Sequence, residues 1–216
     1  MTLFRDRDDA GQRLAQALRP LLLDHPLVLG IPRGGVVVAA AVARELNGDL
    51  GVVVARKLRA PHQPELAIGA ITSDGVAWIN ESLAVAAGAD DRYLEQEKQF
   101  QAGEARRREE VFDGHRRPPA AGRTVLVVDD GLATGATALA AIRAMKAAGA
   151  RRVILAVPVA PPESLERMRE EADQVVCPFI EGDFYAIGQF YVDFRPIGDD
   201  EVRRCLAGFQ QGTVAG

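Results

Sequence analysis

The residues best suited to chemistry lie between positions 125 and 137, in the run Val-Leu-Val-Val-Asp-Asp-Gly-Leu-Ala-Thr-Gly-Ala-Thr. Apolar residues typical of a buried strand lead to the carboxylates of Asp129 and Asp130, and a short loop of glycine and threonine follows. Loop amides, the hydroxyls of Thr134 and Thr137 and the positive end of a following helix would together bind a phosphate. Carboxylates beside that phosphate would accept hydrogen bonds from vicinal hydroxyls, with a divalent cation nearby. The pattern therefore predicts a site for a ribose phosphate.

Other phosphate-binding motifs fit this run less well. A P-loop carries lysine and then serine or threonine after its second glycine, whereas Gly135 is followed by Ala136 and Thr137. The dinucleotide pattern G-x-G-x-x-G is absent from the run. A two-component receiver domain also begins with a strand ending in paired aspartates, but it requires a later lysine, and no lysine follows Lys146. A ribose-phosphate site is the better prediction.

A second glycine-containing segment, residues 30–35 (Gly-Ile-Pro-Arg-Gly-Gly), joins a predicted strand to a predicted helix. Its small residues allow the backbone to approach a ligand closely, and Arg33 adds a forked donor suited to phosphate oxygens. Proline and glycine also mark ordinary helix starts, so the segment alone leaves both interpretations open. Beside a ribose-phosphate loop, it favours a second anionic group on the same ligand.

Paired cations, Arg56 and Lys57, end the second predicted strand, and a predicted loop over residues 58–65 contains Arg59 and His62. Adjacent cations at a strand end need an anionic partner, so Arg56 and Lys57 favour a functional role. For Arg59 and His62 a solvated basic turn is the alternative.

The elements that would position these residues alternate along the chain. Strands are predicted at residues 27–31, 50–55, 66–72, 76–79, 125–128, 153–158, 174–179 and 185–194, and helices at residues 8–19, 36–46, 90–113, 136–149, 162–171 and 199–209. This alternation predicts a single α/β domain over residues 1–216, with a central parallel sheet and helices on both faces. Residues 81–117 are predicted to be a highly charged helical insert that packs on a narrow stripe.

Composition limits the class of protein. Hydrophobic residues make up 48% of the chain, which is enough for a sizeable core. The formal net charge is −4 with interspersed signs, which argues against nucleic acid as a partner. No apolar run reaches the length of a membrane span, and the first residues are too charged for a signal peptide. We therefore expect a cytoplasmic protein with no membrane partner.

Residues 125–137 resemble the phosphoribosyl diphosphate (PRPP) loop of type I phosphoribosyltransferases, in the order apolar strand, acidic pair and Gly/Thr loop. The resemblance implies that family's fold, with a small C-terminal or inserted hood beside the sheet, and Mg²⁺ as cofactor. The PRPP-binding residues that it implies are Asp129, Asp130, Gly131, Leu132, Ala133, Thr134, Gly135, Ala136 and Thr137. Residues 30–35 look like the family's diphosphate loop, which adds Arg33, Gly34 and Gly35.

The spacing of Arg56, Lys57 and His62 is similar to that in the flexible catalytic loop of orotate-type phosphoribosyltransferases. There, cationic residues close over the diphosphate leaving group, sometimes from the neighbouring subunit. The resemblance implies that these three residues form the catalytic set with Asp129 and Asp130. It also implies that closure of the loop excludes water, which would otherwise hydrolyse PRPP.

Residues 184–194 are similar to the base-binding segment of 6-oxopurine phosphoribosyltransferases, with one inserted residue. On that comparison Tyr185 would stack on the nucleobase, and Asp193 and Asp130 would lie near the magnesium ion. An aromatic strand of this kind is as often part of a core. Ala133 stands where those enzymes carry an acid that faces the purine, so the acceptor is left open.

The chain as a whole resembles stand-alone bacterial members of the type I family whose acceptor is unassigned. We expect a Mg²⁺-dependent homodimer that transfers phosphoribosyl from PRPP to a nitrogenous base or similar acceptor and releases diphosphate. The alternative is a regulator that senses PRPP or a nucleotide with the same fold and no turnover. A phosphohydrolase acting on ribose phosphates ranks last, because no metal-ligand cluster or nucleophile can be identified in the sequence.

Overall fold

The computed structural model describes residues 2–112 and 118–210, and it has an α/β architecture. The helices are α1 (Arg7–Leu18), α2 (Gly34–Leu46), α3 (Glu81–Ala86), α4 (Asp91–Glu110), α5 (Ala136–Ala147), α6 (Pro162–Arg169) and α7 (Asp199–Gln210). The strands are β1 (Leu27–Gly30), β2 (Asp49–Val52), β3 (Ala55–Ala60), β4 (Gln63–Thr72), β5 (Ala77–Ile79), β6 (Thr124–Val128), β7 (Arg152–Ala156), β8 (Val159–Ala160), β9 (Gln174–Val176) and β10 (Phe179–Ile180).

Within these residues the central sheet contains five parallel strands in the order β2–β1–β6–β7–β9. Successive strand residues point to opposite faces of a sheet, and each face here is covered by helices. Leu29 and Val127 pack with α5 and α6 on one face, whereas Val28 and Leu126 pack with α1 and α2 on the other. The predicted parallel sheet with helices on both faces is confirmed.

A second, antiparallel sheet in the order β3–β4–β5 contacts α4 and α5. The prediction of a loop over residues 58–65 is wrong, because most of that segment belongs to β3 and β4, with Pro61 and His62 as the turn between them. Leu58 and Ala60 are buried while Arg59 is exposed. This alternation is typical of a half-buried strand, but the nearby prolines favour a loop when the sequence is considered alone.

The placement of Arg56 and Lys57 needs the same correction. Both lie inside β3 rather than at the end of β2, and Arg56 pairs with Ile71 of β4 in the antiparallel register. The cations are therefore presented by a hydrogen-bonded hairpin that packs on helices, and not by a free loop.

The predicted insert contains α3 and α4. The long helix predicted over residues 90–113 is confirmed as α4, which begins with Asp90 accepting a hydrogen bond from the Tyr93 amide at 2.7 Å. Residues 113–117 of the predicted insert lie outside the described residues. The single domain over residues 1–216 stays a prediction.

The strand predicted at residues 185–194 is wrong. The side chain of Gln189 accepts hydrogen bonds from the amides of Tyr185 and Ala186 at 2.9 and 3.0 Å, and it curls the chain into a short 3₁₀ turn. The buried Tyr191 then packs against Phe4, with their ring centroids 5.0 Å apart. Within residues 2–112 and 118–210, no helix combines the length and the apolar character that crossing a bilayer requires.

Candidate active site

The carboxyl ends of β1 and β6 meet at one edge of the central sheet, and a cavity of about 510 Å³ opens there. Ligands of open α/β sheets bind at this edge. The lining includes Pro32, Arg56, Lys57, Arg59, Glu65, Gln101, Arg108, Asp129 and Thr137. Segments far apart in the chain therefore face one volume, and four of the predicted site residues are among them.

The adjacent carboxylates at the end of β6 have different surroundings. Asp129 is half-buried and lines the cavity. Asp130 is 8% exposed, and its carboxylate accepts a hydrogen bond from Nε of Arg7 at 2.7 Å. Tyr191 donates its hydroxyl to the backbone oxygen of Asp130 at 2.5 Å. Asp129 is thus the carboxylate presented to a ligand, whereas Asp130 is held by hydrogen bonds from Arg7 of α1 and from Tyr191. The predicted contacts of Asp130 with ribose and magnesium stay predictions.

Removal from water raises the pKa of Asp129 well above its ordinary value, and the neighbouring charge of Asp130 raises it further. The Asp129 side chain also accepts a hydrogen bond from the Asp130 amide at 2.8 Å. A carboxylate held in this way is stabilised in its charged form by a ligand that brings hydroxyl donors or a cation.

The raised pKa of Asp129 predicts a pH dependence of stability. The folded chain holds this proton more tightly than the unfolded chain, so the stabilisation is complete below the ordinary aspartate pKa of about 4 and is lost as pH rises through the folded value. Asp129→Asn cannot titrate, and we expect its Tm to exceed that of the wild type by about 2–4 °C at neutral pH. Thermal unfolding of both proteins at several pH values measures this. A Tm difference that does not grow with pH would contradict the prediction.

The predicted diphosphate loop packs directly on the acidic pair because it contains glycines. A Cβ atom at Gly34 would overlap the Asp130 carboxylate, and one at Gly35 would lie 2.8 Å from Cα of Asp129. The amide of Ile31 also donates to the backbone oxygen of Val128 at 2.8 Å. Side chains at these glycines would separate the two loops that meet beneath the cavity.

The predicted phosphate loop has an anchored part and an open part. The Leu132 amide donates to the backbone oxygen of Val159 at 2.9 Å, and Leu132 itself is buried. Gly135 adopts the left-handed conformation (φ +72°) that begins α5. Thr134 and Thr137 are both exposed, so their hydroxyls are available to an anion at the helix N-terminus.

Three guanidinium groups, those of Arg56, Arg59 and Arg108, also line the cavity. Partial burial lowers the pKa of Arg56, and the positive charges of Arg59 and Arg108 lower it further. Lys57 is exposed beside them. A polyanion in the cavity would relieve the repulsion among these cations. Arginine suits such a ligand because its guanidinium can donate two hydrogen bonds to one phosphate group.

The other predicted site residues lie outside the lining of this cavity. Arg33 stands at the start of α2, with Nη1 3.6 Å from the Asp199 carboxylate, and it borders a cavity of about 240 Å³ that Arg108 also lines. His62 is exposed at the tip of the β3–β4 hairpin. Tyr185 is 91% exposed. Asp193 is exposed and accepts a hydrogen bond from the Arg195 amide at 3.0 Å.

Comparison with known proteins decides the family. A model of the phosphoribosyl transferase domain matches residues 9–195. The chain belongs to this family. The match confirms the resemblance to type I phosphoribosyltransferases, and it spans the acidic pair, the phosphate loop and the cationic hairpin alike.

Relatives of this phosphoribosyl transferase domain extend the comparison. A Mycobacterium tuberculosis protein named "Putative phosphoribosyl transferase Rv0571c" is 46% identical over 203 residues, which are 94% of this chain and 46% of the relative. The chain thus spans about half the length of the curated relatives that it matches. The crystal structure of TT1426 from Thermus thermophilus is 45% identical, with a TM-score of 0.88 over 96% of this chain and 99% of that one.

A more distant structure supports the fold alone. A Neisseria gonorrhoeae protein solved with bound ppGpp is 14% identical, with a TM-score of 0.51 over 96% of this chain and 97% of that one.

Sequence reasoning missed three residues of this phosphoribosyl transferase domain. Arg7 holds Asp130, while Gln101 and Arg108 reach the cavity from α4. From sequence alone, the N-terminal charges argue against a signal peptide, and the helix over residues 90–113 is predicted to pack on one narrow stripe and to be otherwise solvated. The available signal in α4 was the position of Gln101, which follows Leu94 by seven residues and precedes Ala105 by four, so that the three share one face of the helix.

Proposed function

We propose that this domain catalyses Mg²⁺-dependent transfer of phosphoribosyl from PRPP to a nitrogenous acceptor, with release of diphosphate. The observation that carries the proposal is the composition of one cavity, which is lined together by Asp129, by Thr137 of the phosphate loop and by the cations Arg56, Lys57, Arg59 and Arg108. PRPP has the matching set of groups: a 5-phosphate, a ribose with vicinal hydroxyls and a diphosphate on C1. A ligand with a single phosphate would leave either the phosphate loop or the cations without an anionic partner.

The reaction breaks the bond between C1 and the diphosphate oxygen, and a bond from the acceptor nitrogen to C1 replaces it. In our proposal the Asp129 carboxylate accepts hydrogen bonds from the ribose hydroxyls. Its negative charge stabilises the positive charge that develops on the ribose ring. Thr134 and Thr137 donate to the 5-phosphate. Arg56 and Lys57 stabilise the charge that accumulates on the departing diphosphate.

Magnesium fits the donors present at this edge. Mg²⁺ is commonly held by one or two carboxylates together with substrate phosphates and water. Among the described residues, no group of three or more histidine, cysteine, aspartate or glutamate side chains gathers as a ready-made metal site. The ion would therefore be held by diphosphate oxygens with carboxylates of this edge, of which Asp129 lines the cavity. Its contribution would be to neutralise diphosphate charge.

Arg56→Ala tests the leaving-group role. We expect kcat to fall about 100-fold, because the guanidinium stabilises charge that develops only as the bond breaks. Ribose 5-phosphate should bind as tightly as in the wild type, since it lacks the diphosphate. Stopped-time assays of diphosphate release and calorimetry measure these quantities, with Arg92→Ala as the control, because Arg92 is exposed on α4 and outside the cavity lining. Loss of ribose 5-phosphate binding with unchanged kcat would contradict the assignment.

The regulator alternative is favoured by one observation. A transferase is expected to close residues 58–65 over its substrate, whereas this segment is largely a hairpin packed on α4 and α5. Incubation with PRPP, Mg²⁺ and a panel of nucleobases and other nitrogenous acceptors distinguishes the functions. Diphosphate release with at least one acceptor supports the transferase, whereas tight PRPP binding with no release supports the regulator.

We also propose that the chain forms a homodimer. The insert presents an apolar side chain to solvent at Phe100, which is 55% exposed on α4. A subunit contact there would remove this apolar side chain from water, which favours association. Light scattering on the purified chain, with Phe100→Glu as the disrupting variant, tests this assembly.

A further inference from the structure

Helix α4 is highly charged, yet it buries one uncharged polar side chain against β3. Gln101 is 1% exposed. Its Oε1 atom accepts a hydrogen bond from Nε of Arg56 at 2.8 Å, and its Nε2 atom donates to the carboxylate of Glu97 at 2.9 Å. Both ends of the amide are therefore used, and the guanidinium of Arg56 is bonded at its inner nitrogen.

The same face of α4 fixes the backbone of the cationic strand. Glu97 accepts a hydrogen bond from the Arg59 amide at 3.0 Å, and the Tyr93 hydroxyl donates to the backbone oxygen of Arg59 at 3.0 Å. Tyr93, Glu97 and Gln101 recur every four residues, so they form one row along the helix. The row spans the stretch of β3 that carries the cavity cations.

Helix α4 also contributes a cation of its own. Arg108 lies two helical turns beyond Gln101 and lines both the main cavity and the small cavity beside Arg33. The predicted insert is thus one wall of the anion-binding half of the cavity.

We propose that Gln101 is a positioning residue that fixes the Arg56 guanidinium for diphosphate, so that α4 builds the leaving-group half of the site. The inference rests on the proposed function. An arginine bonded at Nε keeps the N–H groups of both terminal nitrogens for a ligand, and its plane can no longer rotate freely. The guanidinium is thereby ordered before the anion arrives, which lowers the entropy that binding costs.

Gln101→Met tests the inference because methionine has a similar length and no hydrogen-bonding amide. We expect Mg²⁺–diphosphate to bind about tenfold more weakly and kcat to fall by a similar factor, the usual size of one lost hydrogen bond to a charged group. Ribose 5-phosphate affinity should not change, whereas damage to the fold would lower both affinities. Gln99→Met is the matched control, because Gln99 bonds Glu95 in the same way on the exposed face of α4.

A double-mutant cycle separates positioning from packing. If Gln101 acts through Arg56, Gln101→Met should have no further effect on diphosphate affinity in an Arg56→Ala background. Equal losses in the two backgrounds, or wild-type diphosphate affinity in Gln101→Met, would overturn the inference. Gln101→Asn keeps a polar side chain but withdraws it from Nε, so it serves as the second variant should the methionine variant unfold, with the same expected loss.

The failures of the two proposals are distinguishable. A wild type that turns over PRPP, beside a Gln101→Met variant that does so equally well, contradicts the positioning role and leaves the transferase intact. If the wild type releases no diphosphate from PRPP, the transferase is contradicted. The positioning role is still supported if the double-mutant cycle shows that Gln101 affects diphosphate affinity only through Arg56.

Discussion

Asp129→Asn is expected to reduce phosphoribosyl transfer about 100-fold and to abolish the Tm increase that we expect PRPP and Mg²⁺ to give the wild type. Asparagine has the shape of aspartate and can still accept the 2.8 Å hydrogen bond from the Asp130 amide. It lacks the negative charge that would stabilise the ring cation and help to hold magnesium. Because repulsion from Asp130 is also removed, the free protein should become more stable as its function is lost.

Diphosphate release and ligand-induced Tm shifts measure this effect. Asp24→Asn is the control, since Asp24 is exposed and precedes β1 at the opposite edge of the sheet. The double variant Asp129→Asn with Asp130→Asn should likewise give no Tm shift. An Asp129→Asn protein that binds PRPP as tightly as the wild type would show that the ligand site has been assigned to the wrong carboxylate.

Arg7→Ala is expected to lower the free energy of unfolding by about 3–5 kcal/mol, because it leaves the buried Asp130 carboxylate without its partner. The pair is well enclosed, with the Arg7 and Asp130 side chains 8% and 12% exposed. Arg7 also donates to the backbone oxygen of Arg195 at 3.0 Å and lies 3.9 Å from the centroid of the Phe194 ring. Its loss would therefore release the C-terminal segment as well as the acidic pair.

Urea unfolding measures the Arg7→Ala effect, with Trp78 fluorescence and far-UV circular dichroism as probes. Arg5→Ala is the matched control, because Arg5 has a 77% exposed side chain and only a weak ion pair, so we expect a loss of less than about 0.5 kcal/mol. Adding Asp130→Asn to Arg7→Ala should recover part of the lost stability by removing the unpaired charge. A loss below about 1 kcal/mol for Arg7→Ala would mean that water satisfies Asp130.

The parts of the site that sequence predicted are those whose signal is local. The strand, the acidic pair, the loop and the start of the helix all lie in one continuous run from Val125 to Thr137. The position of each of these elements therefore limits where the next can begin. The central sheet followed from the same kind of evidence, because β1, β6 and β7 are apolar and lie between helical segments.

The parts that failed depend on tertiary packing. Arg7 and Asp130 are 123 positions apart, and the residues around neither of them indicate that the two side chains pair. The hairpin that carries Arg56 was obscured by Pro61 and Pro64, although the alternation of Leu58 and Ala60 with polar neighbours was present. The aromatic segment after residue 184 looks like a strand by propensity, but the side chain of Gln189 curls it into a turn. A long-range contact decides the Arg7–Asp130 pair, whereas at Gln189 a local hydrogen bond from backbone to side chain competes with the strand.

Titration of PRPP into the wild-type chain with Mg²⁺, followed by calorimetry, tests most directly whether the cavity at the end of β1 and β6 is a PRPP site. We predict saturable binding that both inorganic diphosphate and ribose 5-phosphate weaken by competition, since each would occupy one half of the cavity. Loss of this binding in Asp129→Asn should accompany the wild-type result. Absence of PRPP binding by the wild type, or binding that diphosphate and ribose 5-phosphate leave unchanged, would contradict the account.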